Sequence, residues 1–205
     1  MEIRSLGRSG FEVKSAVGTV LVDPPPEALG GPFPDPNTIL VFSKRAGGVR
    51  EAPAGVAKVL EGPGEYEIGG VSIRGVATPA DDPSVSHDIN TAYVIDADGV
   101  MVCSAGALGS APDTGAMQQV GKVNVLLLDP EQSPLSGDEL AATVRYFDPE
   151  LVVPSGFDTA SGKPGRLQAE LLSELGVKQV EPQPRMTVSR TSLPEQRTTV
   201  VLTPR

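Results

Sequence analysis

Few residues in this chain could do chemistry: one histidine, His87, one cysteine, Cys103, and five acids at predicted strand ends or in loops, Asp81, Asp82, Asp88, Asp129 and Asp158. Histidine is the commonest general base near neutral pH and the commonest zinc ligand. A single one excludes any mechanism that needs two imidazoles from one chain. With Cys103 it would form a nucleophilic dyad, but no third orienting group is evident. A free cysteine is usually a small buried hydrophobe, so Cys103 reads as core and His87 as a loop histidine. The aspartates could hold a hard cation such as Mg²⁺ or Ca²⁺. Their spacing matches no known cage, and solvated loop acids are the expectation. Ser104 and Ser155 also end strands, but neither sits in a Gly-x-Ser-x-Gly elbow, so both read as turn serines. The segment "GPGEYEIGG" (62–70) lacks the Lys-Ser/Thr and following helix of a phosphate loop, and reads as a hairpin.

The elements that position these residues alternate quickly. "EIRSL", "FEVKS", "TVLV" and the apolar run "TILVF" predict strands at 2–6, 11–15, 19–22 and 38–42, with a Pro/Gly-rich loop at 24–37. Three further strands are predicted near 57–61, 64–68 and 71–77. "NTAYVIDADGVMVCSAG" is a hairpin turning at Asp98-Gly99. Helices then interleave. "DTGAMQQVG" is a short one; "SGDELAATVRYF" has a helical apolar period with Ser136 and Glu139 placed as a capping box; "GRLQAELLSELGV" lines up Leu167, Leu171, Leu172 and Leu175 and stops at Gly176. "KVNVLLLDP" and "ELVVPSGF" read as buried strands, "MTVSR" and "RTTVVLT" as closing strands. A strand-rich half followed by strand–helix alternation predicts two sheets with helices outside, in a single domain over 1–205.

Composition bounds the partners. The charge is −9, from 17 basic and 26 acidic residues, which disfavours nucleic acid. One cysteine excludes an internal disulfide framework and a multi-cysteine zinc site. The start "MEIRSLGRSG" lacks the apolar stretch of a signal peptide, and no apolar run nears the roughly 20 residues of a membrane span. No membrane association and a cytoplasmic location are expected.

Taken in order, "MEIRSLGRSGFEV…GTVLVDP", "GPGEYEIGGVSIRGV", "NTAYVIDADGVMVCSAGALG", "VNVLLLD" and "ELVVPSGF" resemble the metallo-β-lactamase fold. More narrowly, they resemble the small bacterial zinc-dependent hydrolases related to the ascorbate-6-phosphate lactonases. The resemblance implies an αββα sandwich with metal at the edge between the sheets. It also implies a His-x-His-x-Asp-His motif directly after the strand matched by "TILVF". Laid on this chain, the motif's ligands fall on Ser43, Arg45, Gly47 and Gly48. The next histidine falls in the neighbourhood of Asp81 and Asp82, the bridging aspartate on Ala107, and the last histidine near Gly156. His87, Ser104 and Asp129 join the same vestigial pocket by position.

A catalytic zinc takes about three N, S or O ligands, so the expectation is a degenerate member with no zinc, no other cofactor and no catalytic residue. It would be a pseudoenzyme acting as a binding or assembly protein, at least dimeric. The alternative is a hydrolase with a rebuilt or partner-completed site. One of two arginines, Arg45 or Arg8 of "Leu-Gly-Arg-Ser", is expected at the old metal position, paired with Asp81, Asp82 or Asp129.

Overall fold

The computed structural model describes residues 1–44, 50–80, 89–158 and 160–205. The first sheet begins with β1 (Glu2–Gly7) and β2 (Gly10–Lys14), an antiparallel pair, followed by β3 (Thr19–Val22), β4 (Thr38–Phe42) and β5 (Val56–Glu61). β3 and β4 run parallel, as do β4 and β5. The second sheet opens with an antiparallel meander of β6 (Gly64–Ile68), β7 (Val71–Pro79), β8 (Ile89–Ala97) and β9 (Val100–Ser104). It continues in parallel through β10 (Val125–Leu128) and β11 (Leu151–Pro154). β12 (Phe157–Asp158) and β13 (Lys163–Pro164) make a small hairpin; β14 (Met186–Thr187) closes the first sheet beside β1, and β15 (Thr198–Thr199) the second beside β11. The predicted closing strands thus shrink to two residues each.

Side-chain alternation explains the layers. On β4, Ile39 and Val41 point into the cluster shared by both sheets, with Val20, Val22, Tyr93, Ile95, Val102 and Leu127. Leu40 and Phe42 point the other way, toward Leu6, Leu21, Leu29 and Phe33. Strands buried on both faces read as continuous apolar runs, as "TILVF" does.

The three α-helices among the described residues all cover the outer face of the second sheet. α1 (Thr114–Val120), α2 (Gly137–Phe147) and α3 (Arg166–Glu174) pack Ala116, Val120, Leu140, Val144, Phe147 and Leu171 against Ala92, Val94, Cys103, Leu126 and Val152. The capping box forms as the sequence implies, with the Ser136 N–H donating to Glu139 Oε2 at 2.9 Å. The outer face of the first sheet is different. Among the described residues it carries no α-helix, only the connection 24–37 with one 3₁₀ turn, Pro26–Leu29. Consecutive prolines lack the N–H groups that a helix interior needs, so one outer layer of the sandwich is loop.

Candidate functional site

Asp23 follows β3 and precedes Pro24-Pro25-Pro26. Its φ of 42° is left-handed, a conformation that Asp tolerates better than most residues. The Asp23 N–H donates to Val41 O at 2.9 Å, and the Ser43 N–H donates to Asp23 Oδ1 at 2.8 Å. The turn therefore brings a carboxylate under the end of β4. Burial pushes the Asp23 carboxyl up to about 6, against the lowering pull of its backbone and side-chain hydrogen bonds from Ser43; the charge of Asp129 adds to the rise and Arg50 opposes it.

Asp129 follows β10 and is 6% exposed. Ser155, just beyond β11, donates its hydroxyl to Asp129 Oδ1 at 3.0 Å. Desolvation raises the Asp129 carboxyl above its ordinary value, while Ser155, Ser9 and Gln132 oppose the rise. Ser9 and Gln132 lie close enough to favour the charged form, yet Oδ2 is buried with no partner in hydrogen-bond geometry among the described residues. Gln132 Nε2 donates to Ser9 Oγ.

The other wall is built on Asn90, fully buried on β8. Its Nδ2 donates to Thr78 Oγ1 at 2.7 Å and to Ala105 O at 2.8 Å, and its Oδ1 accepts from the Ala107 N–H at 3.0 Å. The Thr91 N–H donates to Ser43 O at 2.8 Å, which ties the end of β4 to the second sheet. Gly106, at φ 62°, is wedged between them: a Cβ there would lie 2.5 Å from both Ser43 Cβ and Asn90 Oδ1. Tyr93 accepts from the Gly62 N–H at 2.9 Å, and burial pushes its phenol up.

Two hollows flank the Ser9–Gln132 contact. One of about 250 Å³ is lined by Arg8, Ser9, Asp23, Ser43, Arg50 and Gln132; the other, about 520 Å³, by Arg8, Ser9, Asp129, Glu131, Gln132 and Gly156. Arg50 lies 3.8 Å over the Phe42 ring and bonds to Glu61.

Of the residues singled out from sequence, Arg8, Ser43, Asp129 and Gly156 come together around these hollows, and Ala107 lies behind Ser43 on the Asn90 wall. Ser104 is buried at the end of β9. Arg45, Gly47, Gly48, Asp81, Asp82, His87 and Asp88 lie outside the described residues. One of the expected pairings is absent. Arg8 is exposed, sits at φ 47° in the β1–β2 turn and has no ion pair among the described residues, so it does not bridge to Asp129, whose Oδ1 takes the Ser155 hydroxyl instead; the pairings with Arg45, Asp81 or Asp82 lie outside the described residues. Asp158 is exposed, as expected of a solvated loop acid, and accepts from the Ala160 N–H at 2.9 Å. Cys103 is fully buried in the helix-side core, and desolvation pushes its thiol up to about 12. That is a poor nucleophile. Sequence reasoning missed Asp23, Asn90, Arg50 and Gln132. The signal for Asp23 was present: an acid directly between a buried strand and a proline run.

The described donor set does not fit a catalytic zinc. Ser, Ala and Gly occupy the matched positions 43, 107 and 156, and among the described residues no group of three or more His, Cys, Asp or Glu converges. Two carboxylates, Asp23 and Asp129, fall short of the usual three ligands.

Comparisons with known proteins bear on this geometry. A family model described as "Beta-lactamase superfamily domain" matches residues 2–155. A Thermotoga maritima protein classed as a zinc-dependent hydrolase of the metallo-β-lactamase superfamily superposes with a TM-score of 0.72 at 21% identity, covering 98% of this chain and 97% of its own. Igni18, a metallo hydrolase from Ignicoccus hospitalis, gives 0.59 at 16% identity, covering 92% and 99%. A metal-dependent hydrolase from Parabacteroides distasonis gives 0.58 at 17%, covering 85% and 89%. At these identities the likeness shows the fold alone. No curated protein matches the chain.

Proposed function

The chain belongs to the β-lactamase superfamily, and we propose that within it this protein is a zinc-free binding protein, its pocket kept and its hydrolytic centre lost. One observation carries the reading. Ser43, at the first metal-ligand position, is committed to structure: its N–H to Asp23, its C=O to the Thr91 N–H, its side chain against Gly106. The test is metal content. Protein purified without chelator should carry well under one zinc per chain by plasma emission, and should not turn over lactones, β-lactams or phosphodiesters above a Ser43→Ala, His87→Ala control. Stoichiometric zinc would overturn the reading.

A rebuilt hydrolase is the second reading. It draws on Asp23, whose carboxyl near 6 suits a general base and whose Oδ1 touches the residue at the old motif position. Turnover abolished by Asp23→Asn alone would favour it.

The same proposal includes one domain over the 205 residues, since the central core draws on both sheets, a cytoplasmic location, and self-association. No helix among the described residues is long and apolar enough to cross a membrane. Self-association is supported by β6, which among the described residues pairs only with β7 and ends the second sheet; open edges invite pairing. Light scattering that shows a monomer at high concentration ends that part.

A further inference from the structure

We draw no further inference here: the strongest candidate, the hollow of about 390 Å³ on the outer face of the second sheet beside β6, lined by Glu65, Glu67, Arg74 and Asp96, rests on a cluster of acids around one arginine, and nothing in the structure shows what covers it.

Discussion

The Ser43 N–H donates to Asp23 Oδ1 at 2.8 Å, so the ends of the parallel strands β3 and β4 are joined by a carboxylate as well as by the sheet ladder. The anchor comes at a cost, because burial raises the Asp23 carboxyl from 3.8 to about 6.

That shift fixes a pH dependence. An acid whose folded pKa exceeds its unfolded one binds its proton more tightly when folded. Its ionisation therefore penalises the fold as pH rises from about 4 to about 6, and the penalty is constant above that. Asp129 shifts in the same direction and adds to the trend. Asp23→Asn keeps an acceptor for the Ser43 N–H and removes the ionisation. The variant should be more stable at pH 7, by at most about 3 kcal/mol because the Asp23 carboxyl is not wholly shut off from the cleft. Its denaturant midpoint should change less between pH 4 and 6.5 than the wild-type value does. Equal slopes would show that Asp23 does not titrate in that window.

The Asn90 wall should be the most sensitive part of the site. Asn90→Ala strands the Ala107 N–H and the Ala105 carbonyl in the interior, for an expected loss of about 2–4 kcal/mol. Gly106→Ala meets Ser43 and Asn90 at 2.5 Å and requires a left-handed φ; a loss of at least about 3 kcal/mol is expected. Urea unfolding measures both, and a loss under about 1 kcal/mol in either would mean that the wall relaxes freely.

Cys103 should be silent toward thiol reagents in the native protein, because its thiol is fully buried and held near 12. Labelling should occur only as fast as the core opens, and should accelerate in urea in step with unfolding. Fast stoichiometric labelling without denaturant would contradict the buried placement.

Much of the fold was legible from local pattern. "TILVF" and "VLLL" are buried on both faces and so are apolar throughout, and Ser136 with Glu139 marks the start of α2 three residues apart. The turn at Asp98-Gly99 has both residues at positive φ, 54° and 72°, as its sequence implies. The site was less legible because its bonds are long-range. Asp23 meets Ser43 across 20 residues, and Asp129 meets Ser155 across 26. No spacing rule reads such pairs. The missing Arg8–Asp129 pair has a related reason: position in a motif places a residue near a pocket but says nothing of whether the adjacent acid is already taken.

β1 is bordered by β14, with Glu2 opposite Thr187, and Ser5 bridges to Pro204. For a chain made from its amino end this sets an order of events. β1 leaves the ribosome well before β14 and waits, one edge bare, until synthesis has run from Glu2 to Thr187. At roughly 5–20 residues per second that interval is on the order of ten seconds or more. During it β1 is paired on one side only, with β2, and its other edge is exposed to pairing with other nascent chains. The folded chain therefore depends on β14 to silence an edge that β1 created much earlier in synthesis.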